Sequence, residues 1–163
     1  MYCLLVVDGV AMTAAETVRD LGVTLDPQLS MKNHVDSVVR SCFYQLRQLR
    51  TIRRSVPDDA MQTLVHAFIT SRVDYCNAVL FGVVGVGLRR LQAVLHAVAR
   101  LITGVRRNDH ITPTLRDTLH WLPVPQRIDF KIALMAFDCL HDRCPANFDD
   151  VCCPVGSVAG RAR

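Results

Sequence analysis

The apolar spacing of this chain changes once, between Leu25 and Ser30, and that change limits the folds open to it. Ahead of Asp26-Pro27 the apolar residues fall in two short β-branched stretches, Cys3 to Val7 and Val18 to Leu25, with Asp8-Gly9 offering a turn after the first. These read as a hairpin or small meander. From Ser30 onward the period is helical. Two or three short strands cannot stand alone in water, so they must pack on the helices or on something beyond them. The spacing therefore predicts a mainly α fold, a helical bundle of about five helices preceded by a short β hairpin or meander.

Val35, Val38, Val39, Cys42, Phe43, Leu46 and Leu49 repeat at i, i+3, i+4 and i+7, which gives a first helix one buried face. Ser30 is its expected N-cap. At about 100° per residue, Arg40, Arg47 and Arg54 share one edge of the polar side, and Arg50 lies between that edge and the apolar face. Asp36 precedes Arg40 by four residues, the spacing of an intrahelical ion pair worth a few tenths of a kcal/mol. Pro57-Asp58-Asp59 opens a second helix, expected from about Asp58 to Asp74 with an extension toward Leu80. Gly82, Gly85 and Gly87 read as a flexible joint. Leu88, Leu91, Leu95, Val98 and Ile102 form a third amphipathic helix ending at Gly104. A short helix from about Pro113 to Leu119 follows, then a last one from about Pro125 to His141. That last helix is apolar on most sides, through Ile128, Phe130, Ile132, Leu134, Met135, Phe137 and Leu140, and is expected at the buried centre of the bundle.

Charge is placed unevenly. Across the chain Lys and Arg number 19 against 15 Asp and Glu. Between Met31 and Asn108 twelve basic residues stand against only Asp36, Asp58, Asp59 and Asp74. A basic middle points to a polyanion, with an ordinary solvated surface as the plain alternative. No apolar run approaches the roughly 18–20 residues of a membrane span, so no membrane partner is expected. Without a secretory leader at the start, the seven cysteines are expected to be reduced thiols inside the cell.

The candidate chemistry is thin. Phe148-Asp149-Asp150 superficially matches the aromatic-x-Asp-Asp turn that holds two metal ions in reverse transcriptases. It lacks the intervening residue and any flanking strand pattern, so solvated loop carboxylates are the expected reading. Cys139, His141, Cys144, Cys152 and Cys153 cluster in sequence, but no C-x2-C knuckle is present and structural thiols are expected. No G-x-S-x-G, P-loop or H-E-x-x-H pattern occurs, and His66, His96 and His110 are scattered. No catalytic residue, metal or cofactor is therefore expected.

Several strings are more specific than propensity: Leu21-Gly22-Val23-Thr24-Leu25-Asp26; His66-Ala67-Phe68-Ile69-Thr70-Ser71-Arg72-Val73-Asp74-Tyr75-Cys76-Asn77; Asp109-His110-Ile111-Thr112-Pro113; Leu119-His120-Trp121-Leu122-Pro123-Val124; and Arg127-Ile128-Asp129-Phe130-Lys131-Ile132. In this order, from about Val18 to Asp150, they resemble the C-terminal part of the polyprotein of non-LTR (LINE-type) retrotransposons, the Jockey and chicken-repeat-like group. The resemblance implies a palm-edge β segment over residues 1–29, a thumb-like helical region over 30–104, a C-terminal helical extension over 105–150 and a tail over 151–163. It further implies that Arg40, Arg47, Arg50 and Arg54 grip the backbone of an RNA/DNA duplex, giving affinity and register without reading sequence. The fingers, most of the palm and its catalytic aspartates are not in this sequence, so polymerisation by this chain is not expected. The Val/Gly-rich stretch at Gly82–Gly87 and the tail after Cys153 depart from that family's pattern.

The stretch from Leu21 to about Arg54 also resembles a short segment labelled as an AlkB-homologue N-terminal domain. His34-Val35-Asp36 has the H-x-D spacing of an iron pair but falls within the expected first helix, and no glycine-rich cofactor loop accompanies it, so that likeness implies no oxygenase chemistry. The alternative to duplex binding is a structural or protein-interaction bundle. It would self-associate through its incomplete sheet and expose apolar surface at residues 3–25.

Overall fold

Two antiparallel hairpins lead into the helices. The computed structural model describes residues 4–7, 10–13, 15–83, 85–141, 143–145 and 148, the first two stretches by their backbone. Strand β1 (Leu4–Val7) pairs with β2 (Val10–Thr13), and β3 (Val18–Asp20) pairs with β4 (Val23–Leu25), as two separate two-stranded sheets. The Asp8-Gly9 turn and the tail from 149 onward lie outside the described residues. The expected single strand from Val18 to Leu25 is a hairpin, because Leu21 and Gly22 take φ of 43° and 83°. Two successive positive φ values close a two-residue turn that follows the twist of its strands. A side chain at Gly22 would be strained by that φ, and its Cβ would lie 3.4 Å from the Tyr75 ring. The Tyr75 hydroxyl donates to the Leu21 carbonyl at 2.6 Å, and Val23 is buried in the helical core, so the hairpin is docked rather than free.

Helix α1 (Lys32–Ile52) buries His34, Val35, Val39, Cys42, Leu46 and Leu49, close to the expected face. Phe43 differs: it lies beyond the edge of that face and is exposed. Ser30 is not the cap. Met31 occupies that position with φ 57° and no capping bond from its side chain. Ser30 instead donates its hydroxyl to Asp26 Oδ2 at 2.9 Å and its N–H to Asp26 Oδ1 at 3.0 Å. A short carboxylate so close to two donors closes its own turn, although the Ser30 oxygen also accepts the Lys32 N–H at 3.4 Å at the start of α1. Burial pushes the Cys42 thiol up to about 11, against a smaller opposing influence of Arg72, so it is a core side chain and not a nucleophile.

Helix α2 (Asp58–Val65), a π-helical turn (His66–Thr70) and α3 (Ser71–Asp74) follow one another without a break over the expected 58–74. The wider turn lets the buried Thr70 hydroxyl donate to the Val65 carbonyl at 3.4 Å, and it re-phases the residues that follow, Arg72 among them. The rod stops at Asp74, followed by Tyr75 in extended backbone and Cys76 with φ 50°, so Asn77–Leu80 is a separate 3-10 turn and not an extension.

The bundle centre is α4 (Gly85–Thr103), which buries Leu91, Val94, Leu95, Val98, Ala99 and Ile102. Gly85 and Gly87 belong to its first turn and not to a joint. A Cβ at Gly87 would sit 3.7 Å from the Val35 side chain, so the helix approaches α1 closely there. Gly104, with φ 70°, ends α4 as the sequence indicates. A π-helical turn (Thr114–Thr118) leads to α5 (Val124–Leu140). Contrary to expectation α5 is not the centre. Only Val124 and Ile128 are buried, while Phe130, Leu134, Phe137 and Leu140 are exposed. Its apolar residues form two separate faces, and the bundle covers one of them.

One guanidinium joins three helix ends. Arg53, just after α1, donates from Nε to the Leu101 carbonyl at 2.9 Å and from Nη2 to the Ile102 carbonyl at 3.1 Å, near the C-terminus of α4. It also donates to the Val56 carbonyl at 3.3 Å and pairs with Asp58 at the start of α2 at 2.5 Å.

Candidate nucleic-acid interface

The basic surplus of the middle region divides into cations that hold the fold and cations that face water. Arg53 joins helix ends, and Arg100 donates to the carbonyls of His96, Arg106 and Asp109 around the end of α4. Arg90 of α4 pairs with Asp36 of α1. That pair replaces the expected Asp36–Arg40 ion pair, because α4 brings a guanidinium to Asp36 from across the helix interface. The single carboxylate on the arginine edge of α1 is thereby neutralised from behind.

Arg40, Arg47 and Arg50 on α1, and Arg54 in the 3-10 turn Arg53–Ser55, are all exposed. Among the described residues none of the four has a carboxylate partner. From Arg40 to Arg50 the helix rises about 15 Å. Tyr44 and Phe43 are exposed on either side of Arg40 and Arg47, so aromatic faces flank the guanidinium row. Such a row supplies fixed positive charge along a rigid rod, with flat apolar surface beside it.

Beside the N-terminal half of this row lies a cleft of about 490 Å³ between β3–β4, α1 and α3. Arg19, Arg72, His34, Ser37, Ser41 and Ser71 line it, and among the described residues no carboxylate does. Ser37 and Ser41 precede and follow Arg40, so the cleft adjoins the row. Arg72 Nη1 donates to the Ser41 hydroxyl at 3.0 Å, leaving most of its five donors for a guest. Two guanidinium groups and five hydroxyl-bearing residues, with no carboxylate among the described lining residues, make a concavity suited to an anion. Arg19 lies outside the basic middle, and Arg72 reaches the cleft only through the π-helical turn, so spacing along the chain could not have joined them. Membership of the basic middle is the one sequence signal that Arg72 carries.

His34 is buried at the back of this cleft, and its Nδ1 accepts the Thr24 N–H at 3.4 Å, tying β4 to α1. Burial holds the imidazole below its ordinary range. The folded state therefore resists protonation while the unfolded chain takes up a proton near pH 6.5. This contribution to stability is full above about pH 6.5 and falls away as pH drops through the folded-state value. Urea unfolding at pH 7.5 and 5.0 is expected to show a stability loss at the lower pH that His34→Gln reduces. An equal loss in the variant would remove His34 as the cause.

The other sequence candidates assemble nothing. Asp149, Asp150, Cys152 and Cys153 lie outside the described residues. Cys139 and Cys144 bring their sulfurs within 3.2 Å, while His141 Nδ1 faces the Phe137 carbonyl at 2.8 Å. Among the described residues no group of three or more His, Cys, Asp or Glu is placed to hold a metal ion. His66 meets Trp121 edge to face, His96 is half-buried on α4, and His110 is exposed, so the three do not converge. Among the described residues no helix is long and apolar enough to cross a membrane. No family model, curated protein or solved structure matches this chain.

Proposed function

We propose that this chain is a non-catalytic portion of a retrotransposon reverse transcriptase, in which thumb-like helices hold the phosphate backbone of an RNA/DNA duplex. The observation that carries the reading is the carboxylate-free basic surface. It runs from Arg19 and Arg72 in the cleft along Arg40, Arg47, Arg50 and Arg54, with the nearby carboxylates Asp36 and Asp58 held by Arg90 and Arg53. Solvating charge scattered for solubility has no reason to avoid acidic neighbours in this way. Backbone contacts of this kind displace condensed counterions, so affinity should fall steeply as salt rises. Fluorescence anisotropy with a labelled RNA/DNA duplex at about 50–200 mM salt is expected to give a clearly negative slope of log K against log salt. A flat line would refute the reading.

The second reading, a protein-interaction bundle, has one observation of its own in the exposed apolar face of α5. The two are compatible, because the α5 face and the arginine row belong to different helices.

A further inference from the structure

Helix α5 presents two apolar faces about 130° apart. Val124 and Ile128 face the bundle and are buried. Phe130, Leu134 and Phe137 follow at i, i+4 and i+7 on the other face, and they are 60%, 41% and 46% exposed. With Leu140 at its margin, this face leaves about 400 Å² of apolar side chain in water, as much as the largest patch on many whole monomers.

The flank of the stripe indicates what covers it. Lys131 and Asp138 are seven residues apart, which places them about 20° from each other on one edge of the helix. They are equally spaced on either side of a point between Leu134 and Met135. A twofold axis through that point, perpendicular to the helix, would lay a second α5 antiparallel against the first and keep the same edges side by side. Lys131 of each copy would then stand level with Asp138 of the other, giving two ion pairs from one residue pair. Within the stripe, Leu134 would meet its own counterpart, and Phe130 would pack over the stacked Phe137 and His141 rings of the other copy. A parallel pairing would set this edge against the opposite one, which carries Asp129 and Leu140, and would form no such pairs.

We infer that α5 is a self-association surface whose partner is a second copy of this chain, paired antiparallel about Leu134. The stripe from Phe130 to Leu140 is about 15 Å long, and both copies together would bury roughly 800–1,000 Å², the size of a weak, transient interface. The complex is therefore a concentration-dependent dimer, with a Kd on the order of 10 µM. This surface differs from the incomplete sheet through which the sequence expects self-association, and it stands independently of duplex binding.

Sedimentation of the full chain in reducing buffer from about 1 to 200 µM, a range that brackets that Kd, tests it. The apparent mass is expected to climb from one chain toward two. Leu134→Asp should remain monomeric throughout while melting as a folded helical protein, since Leu134 is outside the core. Lys131→Asp and Asp138→Lys should each weaken the dimer about tenfold by placing like charges together. The double charge swap should restore it to within about threefold, which an unspecific sticky patch would not do. A monomer at all concentrations, unchanged association of Leu134→Asp, or failure of the double swap to recover would overturn the inference.

Discussion

Replacing Arg53 by alanine is expected to lower stability by about 2–4 kcal/mol and Tm by roughly 5–12 °C, while alanine at the adjacent Arg54 changes it by under about 0.5 kcal/mol. The two side chains are neighbours in sequence and opposite in circumstance. Arg54 is exposed, without a carboxylate partner among the described residues. Arg53 is mostly covered and donates to the carbonyls of Leu101, Ile102 and Val56, besides its pair with Asp58. The Leu101 and Ile102 carbonyls belong to the last turn of α4, where helical partners run out. Removing the guanidinium leaves them poorly satisfied at the junction of α1, α2 and α4 at once. Lysine should recover less than half of the loss, because an ammonium cannot serve carbonyls on both sides of a planar fork. Thermal and urea unfolding followed by far-UV circular dichroism would measure this. Equal, small effects at positions 53 and 54 would mean that the junction is held by apolar packing alone.

The second large effect concerns binding. Each phosphate left without its guanidinium should reduce the salt slope by about 0.9, so the triple substitution Arg40→Ala, Arg47→Ala, Arg54→Ala should flatten it by about two to three. Affinity for duplex at about 100 mM salt should fall by roughly tenfold to a hundredfold. Because these side chains are exposed and make no ion pair among the described residues, the melting curve should stay close to that of the unaltered chain. An unchanged slope would separate the arginine row from nucleic-acid contact and leave only solvation as its role. A lowered slope with unaltered stability cannot come from unfolding.

Much of the fold is legible in the chain because helices advertise one face at a time. The i, i+3, i+4 pattern of α1 and α4 and the Pro57 and Gly104 boundaries all reappear within a few residues in the structure. The misreadings share a cause. Ser30 is a good cap by type, yet Asp26 engages it in a turn of its own. Gly85 and Gly87 read as a joint by type, yet both stand in the first turn of α4, where a Cβ at Gly87 would be in ordinary contact with Val35 of α1. Asp36 has the spacing to pair with Arg40, and a guanidinium from another helix takes it. In each case the residue type suits two roles, and the one its own helix suggests is not the one taken.

The same division runs through the candidate site. By itself the sequence determined the mainly helical class, the apolar faces of α1 and α4 and the placing of Arg40, Arg47 and Arg54 along one edge with Arg50 beside it. These depend on spacing within a single element, which the backbone period fixes. Tertiary structure alone decided which arginines hold the fold and which remain available, because that depends on where carbonyls and carboxylates from distant helices arrive. It also brought Arg19 and Arg72 into one cleft across a hairpin and a π-helical turn. And it set α5 at the margin with an apolar face outward: a sequence can make a helix apolar on two sides, but only packing decides how many of those sides find a partner.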